Sequence, residues 1–239
     1  MKGPEPHFCV LPGAGGSGLS WAHVLESLGA TLLEVPDERD VPAMAAAIAE
    51  SVQELPRPLV LVGASLGAMV ALELARTVPV DALVLIAAGF GIEVSDSLLE
   101  WVAADSPDLL RKVAKASIVD REDQEMIGLV TRDFAARGQP VLLRHLTALG
   151  AYRPQALEAP PPTLVIWGEG DRSVPLADHV ELALRCRGAL APIRDAGHMP
   201  FLERPAETLA WIRMAEKLMY VPAVDAPSAD TRRESSALA

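Results

Sequence analysis

Cysteine and positive charge are both scarce in this sequence. Cys9 and Cys186 are the only cysteines among 239 residues, which argues against a disulfide scaffold and favours a reduced pair in a cytoplasmic protein. Lysine and arginine number 21 against 32 acidic residues, so the formal net charge is −11. This shortage of cations argues against nucleic acid and against an anionic membrane surface as partners.

Long hydrophobic runs are missing as well. No window approaches 18 uninterrupted apolar residues, so we expect no membrane-spanning helix, and the first residues lack an apolar stretch typical of a signal peptide. Half of the residues are nevertheless hydrophobic and only 22% are charged, which excludes wholesale disorder. The length suits one sizeable domain.

Short apolar runs alternate with longer helical patterns over most of the chain. The predicted strands cover residues 8–11, 31–35, 58–62, 82–86, 163–167 and 189–194, and the predicted helices between and after them cover 18–29, 41–55, 66–77, 176–186 and 205–219. Continuous Val and Leu runs are typical of parallel strands buried on both faces. The alternation predicts an α/β fold whose strands all end at one edge, where sites form.

Residues 91–155 and 221–239 depart from this alternation. The first segment contains four helical patterns and no predicted strand, which indicates an all-helical insertion. The second segment shifts to Pro, Ala, Ser and Asp with little apolar periodicity, so we expect a disordered tail. The predicted organisation is therefore a core of residues 1–90 and 156–220, an insertion of residues 91–155 and a tail of residues 221–239.

The sharpest chemical signal is the pentapeptide Gly63-Ala64-Ser65-Leu66-Gly67. It joins a predicted strand to a predicted helix, the setting in which a G-x-S-x-G turn projects a nucleophilic serine above the sheet edge. The flanking glycines suit a turn that leaves no room for side chains. A chance match to so short a pattern is the competing interpretation, and its position at a strand–helix junction weakens that alternative.

A serine nucleophile needs a histidine base and a carboxylate that orients it. His198 is the one histidine of five that lies in a loop beyond a predicted strand end. Asp171 follows another strand, and the chain order Ser65, Asp171, His198 matches the Ser…acid…His order of α/β enzymes. Glu169 and Asp195 are the rival acids, and the alternative role of Asp171 is in turn formation or helix capping.

The oxyanion formed during attack on a carbonyl needs two backbone N–H donors. The residue after the nucleophile, Leu66, is the first candidate, and the glycine-rich loop at residues 12–18 is the expected source of the second. This loop also fits G-x-G-x-x-G, a nucleotide-binding pattern that is weak alone. The second strand lacks a convincing ribose-binding acid, and no lysine follows in P-loop spacing.

Taken together, these motifs resemble those of the α/β-hydrolase superfamily over residues 7 to about 216. The resemblance rests on four stretches: 11–14 with Trp21, the pentapeptide 63–67, 168–171 with Val174 and Pro175, and 197–198 with Pro200, Phe201, Glu203, Pro205 and Glu207. It implies that Ala14 supplies the second oxyanion donor, with Pro12 where the family usually has histidine. It also implies a trimmed, mostly parallel sheet of about six strands, with the insertion in the position of the family's lid.

Within that superfamily the sequence is most similar to small-lid carboxylesterases, such as the pimeloyl-carrier-protein methyl ester esterases. The resemblance implies a serine hydrolase acting on a small-molecule ester or thioester, without metal or organic cofactor; the histidines show no metal-ligand spacing either. We expect Trp101, Phe134 and Met199 to line the substrate pocket, although such residues equally suit a packing core. Acyl chain length and oligomeric state are left open.

Two other function classes remain open at this point. The same triad serves carbon–carbon bond hydrolases, perhydrolases and acyltransferases. A hydrolase-fold binding protein with little turnover is the second alternative, although the complete set of Ser65, Asp171 and His198 argues against it.

Overall fold

Six parallel strands form a single sheet in this computed structural model, which describes residues 4–106 and 108–218. They are β1 (His7–Leu11), β2 (Thr31–Leu32), β3 (Leu59–Ala64), β4 (Ala82–Ile86), β5 (Thr163–Gly168) and β6 (Ala189–Ile193). The order across the sheet is β2-β1-β3-β4-β5-β6. The predicted α/β fold with about six parallel strands is confirmed.

The helices follow the predicted positions closely. They are α1 (Ala22–Leu28), α2 (Val41–Gln53), α3 (Leu66–Leu74), α4 (Asp96–Ala103), α5 (Leu109–Ser117), α6 (Gln124–Arg137), α7 (Gln139–Ala151), α8 (Leu176–Arg185), α9 (Pro200–Glu203) and α10 (Pro205–Leu218), with a 3₁₀ turn at Leu19–Trp21 before α1. The single turn of α9 was not predicted, because four residues are too few to show helical periodicity. The predicted tail, residues 221–239, lies outside the described residues.

Strand β2 is shorter than the predicted strand 31–35. Only Thr31 and Leu32 pair with β1, and the N–H of Leu33 makes one further bond to the carbonyl of Val10 at 3.0 Å. The strand lies at the edge of the sheet and the chain soon reaches Pro36, which has no N–H to donate. An apolar run at a sheet edge therefore overstates the length of the strand.

The continuous apolar runs are explained by burial on both faces of the sheet. In β3, Leu59 and Leu61 pack with residues of α2 and α3, whereas Val60 and Val62 pack on the opposite face with residues of α10. All six residues of β3 are buried. The central strand is thus held rigidly by two layers, and the loop at its carboxyl end begins from a fixed point.

The insertion contains the four predicted helices, α4 to α7, and it lies between β4 and β5 in the chain. It packs directly on the core: α6 contacts the 3₁₀ turn at Leu19–Trp21, and α7 contacts α3. Its own small cluster is built around Val102, Leu109 and Leu142. The insertion therefore lies over the carboxyl edge of the sheet.

Both cysteines are buried and unpaired, as predicted. Burial raises the pKa of the Cys9 thiol to about 12 and that of Cys186 to about 11, so neither is a thiolate at neutral pH. In the two described stretches, no helix is both long and apolar enough to cross a membrane.

Candidate active site

The candidate site lies where the strand order reverses. From β1 the chain adds β2 on one side and later β3 on the other, so the loops that follow β1 and β3 leave the sheet in opposite directions. In open α/β sheets such a point creates a crevice at the strand carboxyl ends, where ligands bind. The glycine-rich loop (residues 12–18) follows β1, and Ser65 follows β3.

Ser65 occupies a strained turn between β3 and α3. Its backbone has φ 51° and ψ −116°, a region that residues other than glycine rarely occupy. A Cβ atom at Gly63 would lie 2.3 Å from the carbonyl oxygen of Gly67, and one at Gly67 would lie 2.1 Å from that of Leu11. The two glycines of the pentapeptide are therefore required by close backbone contact.

His198 and Asp171 are hydrogen-bonded to each other. Nδ1 of the imidazole lies 2.9 Å from Oδ2 of Asp171, whose side chain is fully buried. Oδ1 of the same carboxylate accepts hydrogen bonds from the N–H groups of Ser173 at 2.8 Å and Val174 at 3.2 Å. Burial alone would raise the pKa of Asp171, but His198 and these N–H donors together lower it below its ordinary value.

The two rival acids do not contact the histidine. Glu169 is exposed, and the side chain of Asp195 is 81% exposed and lies 3.8 Å from Arg204. The loops that carry Asp171 and His198 are joined through their backbones, because the N–H of Gly170 donates to the carbonyl of Ala196 at 2.8 Å. This contact aligns the loop of Asp171 with the loop of His198.

A buried glutamate holds the loop that carries His198. Glu203 Oε1 accepts hydrogen bonds from the N–H groups of Gly197 at 2.8 Å and Met199 at 3.3 Å, and its Oε2 accepts from Val119 at 2.7 Å. Burial raises the pKa of Glu203, although these three donors oppose the shift. Because Val119 belongs to the insertion, Glu203 ties the insertion to the histidine loop.

Both predicted oxyanion donors lie near Ser65. A Cβ atom at Gly13 would be 3.4 Å from Ser65 Cβ, so the glycine-rich loop runs directly beside the serine. Over residues 4–106 and 108–218, the structure gives no hydrogen-bond acceptor to the N–H of Ala14 or Leu66. The next N–H in the loop, that of Gly15, is bonded to His145 Nδ1 at 3.1 Å.

Four N–H groups at the end of the glycine-rich loop and in the 3₁₀ turn after it are occupied by a carboxylate of the insertion. Asp133 accepts from the N–H groups of Ser17 at 2.7 Å, Gly18 at 3.1 Å, Leu19 at 3.2 Å and Ser20 at 3.0 Å. A phosphate would have to displace this buried side chain to use the same donors. The structure therefore argues against the nucleotide-binding interpretation of G-x-G-x-x-G.

A cavity of about 820 Å³ opens above Ser65 and His198. The three residues predicted to contact substrate, Trp101, Phe134 and Met199, all line it. Other large apolar lining residues come from both the core and the insertion: Trp21, Ile92, Val94, Leu98, Val113, Leu142, Leu146, Leu149, Val174 and Phe201. Charged residues line it as well: Glu93, Asp96, Arg153, Arg172 and Asp178. The volume is in the range of pockets that enclose small organic molecules.

An aromatic pair joins two of the loops around this cavity. The rings of Trp21 and Phe201 are stacked, with centroids 3.8 Å apart and planes inclined by 7°. Trp21 ends the 3₁₀ turn after the glycine-rich loop, and Phe201 follows the histidine loop. The stack fixes the spacing between the loop beside Ser65 and the loop that carries His198.

In the described part of the chain, no group of three or more His, Cys, Asp or Glu side chains is placed to hold a metal ion. Asp171 and His198 are instead bonded to each other, Asp133 is bonded to backbone N–H groups, and His145 is bonded to a backbone N–H and lies beside a backbone carbonyl.

Asp133 and His145 are the site residues that the sequence analysis missed. Both lie on the apolar faces of helices: Asp133 follows Ile127 and Val130 at helical spacing, and His145 follows Leu142. An ionisable residue on a buried face needs a partner, because an unpaired polar group there is costly. That pattern was the available signal, but it does not reveal which distant segment provides the partner.

His145 makes the stability of the fold depend on pH. Burial, together with the charge of Arg137 and Arg144, lowers its pKa to about 4, although Pro36 and Asp37 oppose the shift. Because the unfolded value is near 6.5, the stabilisation is complete above pH 6.5 and is lost as pH falls towards 4. We expect the free energy of unfolding to fall by about 2 kcal/mol between pH 7 and pH 4.5 through this group alone.

The comparison that isolates this effect is with His145→Asn, which keeps an acceptor near Nδ1 and does not titrate. Urea unfolding at pH 7 and pH 4.5 should show a smaller loss of stability in the variant, because the other titrating groups are common to both proteins. Parallel pH dependences in the two proteins would show that His145 is not held neutral by the fold.

Several solved structures are similar to this chain over nearly its whole length. A thermophilic esterase is 25% identical, with a TM-score of 0.80 and coverage of 91% of this chain and 92% of its own. An esterase from Exiguobacterium antarcticum is 17% identical (TM-score 0.77, coverage 91% and 93%), and a bromoperoxidase from Bacillus anthracis is 18% identical (TM-score 0.75, coverage 89% and 92%). The last two likenesses concern the fold alone.

No curated protein matches the chain significantly by sequence. The sequence model of the alpha/beta hydrolase family does match, over residues 10–211. That range runs from β1 into α10 and includes the glycine-rich loop, the pentapeptide at residues 63–67 and the hydrogen-bonded pair of Asp171 and His198. The chain belongs to the alpha/beta hydrolase family.

Proposed function

We propose that this protein is a serine hydrolase that cleaves a carboxylic ester or thioester through an acyl-enzyme. Ser65 is the nucleophile, His198 is the general base and acid, and Asp171 orients His198. The observation that carries the proposal is the 2.9 Å contact between His198 Nδ1 and Asp171 Oδ2, in a cavity that Ser65 also lines.

The first half of the reaction forms the acyl-enzyme. Asp171 engages Nδ1, so Nε2 is the ring nitrogen that accepts the proton from Ser65 as Oγ attacks the substrate carbonyl. The negative charge that develops on the carbonyl oxygen is stabilised by the N–H groups of Ala14 and Leu66. Collapse of the tetrahedral intermediate breaks the ester or thioester bond, and the imidazolium returns its proton to the leaving group.

The second half of the reaction repeats these steps with water. His198 removes a proton from water, which attacks the acyl carbonyl, and the same two N–H groups stabilise the second oxyanion. The acid is then released and Ser65 regains its proton. The low pKa of Asp171 supports this role, because the carboxylate must stay ionised while the imidazolium forms beside it.

The insertion, residues 91–155, acts in this proposal as the lid over the substrate. It contributes Trp101 and Phe134 to the cavity, opposite Met199 from the histidine loop. The apolar part of the lining suits an apolar acyl or alcohol group. The likeness to a thermophilic esterase supports ester hydrolysis over the other reactions that the same triad performs.

Labelling with a fluorophosphonate tests the nucleophile directly. We expect the folded protein to gain one adduct, mapped by peptide mass spectrometry to Ser65, because only an activated serine attacks phosphorus at a useful rate. Ser65→Ala should remain unlabelled, and Ser51→Ala, which changes an exposed serine of α2, should label as the wild type does. An unlabelled wild type would favour a binding protein over an enzyme, and an adduct elsewhere would mean that Ser65 is not the nucleophile.

A further inference from the structure

We infer that Asp133 of the insertion is a positioning residue for the oxyanion-binding loop, an inference that rests on the proposed function. On this view the insertion holds the catalytic loop in its working conformation as well as covering the substrate.

Asp133 is only 2% exposed, and its side chain accepts five hydrogen bonds. Four come from consecutive backbone N–H groups, those of residues 17 to 20, and the fifth comes from the hydroxyl of Ser17 at 2.7 Å. A buried carboxylate is tolerated only when its oxygens are satisfied in this way. All five donors lie more than 110 residues away in the chain, so the contact is a tertiary one.

These donors need an external acceptor because of the local backbone. The 3₁₀ turn at Leu19–Trp21 has no side-chain cap of its own, and Gly18 before it has φ 99°. The first N–H groups of a helical turn have no partner within the turn. Asp133 supplies the missing acceptor, so the conformation of the glycine-rich loop depends on a residue of the insertion.

A second contact from the insertion holds the other half of the same loop. His145 on α7 accepts a hydrogen bond from Gly15 at 3.1 Å, and its Nε2 lies 3.1 Å from the carbonyl of Pro36. Ala14 therefore lies one residue before an N–H that is fixed by His145 and three residues before the first N–H that is fixed by Asp133. Its own N–H stays available for the oxyanion because its neighbours are held elsewhere.

Loosening the glycine-rich loop is expected to lower kcat more than it changes KM. An oxyanion donor contributes in proportion to how closely it is held where charge develops, and removing one lowers kcat by about 10²- to 10³-fold. Loosening the loop without removing the donor should lower kcat by less, about 10- to 100-fold. KM should change by less than about threefold, because the loop binds the transition state more than the substrate.

The test compares Asp133→Asn with a matched control on the same helix. Asp123 caps the N-terminus of α6 by accepting from the N–H of Met126 at 2.8 Å and does not touch the glycine-rich loop, so Asp123→Asn makes the same change from carboxylate to amide on α6 without altering the contacts of the loop. We expect Asp133→Asn to lower kcat for p-nitrophenyl butyrate by about 10- to 100-fold, and Asp123→Asn to stay within about twofold of the wild type.

The affinity for a trifluoromethyl ketone separates an effect on the oxyanion donors from a general effect on the structure. Ser65 Oγ adds to its carbonyl carbon, the proton passes to His198, and the carbonyl oxygen becomes an oxyanion in the same hole. Asp133→Asn should bind the trifluoromethyl ketone more weakly than the wild type, by the same factor as its loss in kcat/KM. The matching unfluorinated methyl ketone binds without forming the adduct, so its affinity should be the same in both proteins. Amide hydrogen exchange of residues 15–20 should also become faster in this variant.

Ser17→Ala covers the case in which Asp133→Asn does not fold, because it deletes only the hydroxyl bond to Asp133. We expect a loss in kcat of about threefold, again with unchanged KM. Unchanged kcat and ketone affinity in the folded variants, or equal losses in Asp123→Asn and Asp133→Asn, would overturn the inference alone. A wild type that fluorophosphonate does not label overturns the proposed function and, with it, this inference.

Discussion

Ser65→Ala is expected to lower kcat/KM for p-nitrophenyl esters by at least about 10⁴-fold. Alanine removes the only atom that attacks the carbonyl and leaves the residual activity of the oxyanion donors and of substrate binding. The fold should survive, because the backbone of residue 65 is already strained with a serine in place and alanine adds no atom to the turn. The release of p-nitrophenolate measures the effect.

The control for this prediction is substrate binding by the inactive variant. The cavity walls are unchanged in Ser65→Ala, so a product acid or an unfluorinated methyl ketone, neither of which forms an adduct with Ser65, should bind with nearly the wild-type affinity. Near-wild-type turnover in the variant would contradict the proposed chemistry. A loss of both turnover and binding would instead indicate that the turn itself had rearranged.

A series of p-nitrophenyl esters with increasing acyl length extends the same measurement. The wild-type rates measure how much of the 820 Å³ cavity the acyl group can fill. Ser65→Ala provides the background rate for each ester in the series.

The parts of the fold that the sequence predicted well are those determined by local patterns. β3, the pentapeptide with Ser65 and α3 are contiguous, and the glycines needed for the turn are adjacent to the serine that it presents. Periodicity also distinguished the four helices of the insertion from the strands around them. In each case the determining interactions lie within a few residues of one another.

The parts that were missed depend on contacts between distant segments. Asp133 bonds to residues more than 110 positions earlier in the chain, and a single acidic residue in a helix does not show where its partners will be. Glu203 was recognised only as part of the family resemblance, yet it holds the histidine loop and Val119 together. Both residues are polar and lie at buried positions. The hydrophobic pattern of the sequence can mark such a position as unusual, but it does not show which groups the side chain will bind.

The proposal that Asp171 is the acid also depends on tertiary contact. Chain order favoured Asp171 over Glu169 and Asp195, but all three lie in loops at the same edge of the sheet. Only the three-dimensional arrangement separates them: Asp171 is buried against His198, while the other two side chains lie in solvent. The proposed mechanism therefore predicts a large loss of activity when Asp171 is substituted and little change when Glu169 or Asp195 is substituted.

Asp171→Asn is expected to lower kcat/KM by about 10³- to 10⁴-fold. The amide oxygen can keep the bonds from Ser173 and Val174, which directs the NH₂ group towards His198 Nδ1. Nδ1 must then accept a hydrogen bond, so the proton of the neutral ring moves to Nε2. That nitrogen can no longer receive the proton of Ser65.

Glu169→Gln and Asp195→Asn provide matched controls, because each removes one negative charge from the same pair of loops. Both side chains are exposed, so we expect kcat/KM to stay within about twofold of the wild type. A larger loss in either control than in Asp171→Asn would mean that the acid had been assigned wrongly. The three variants share the change from carboxylate to amide, so a loss confined to Asp171→Asn must arise from the contact with His198 rather than from the charge of the loops.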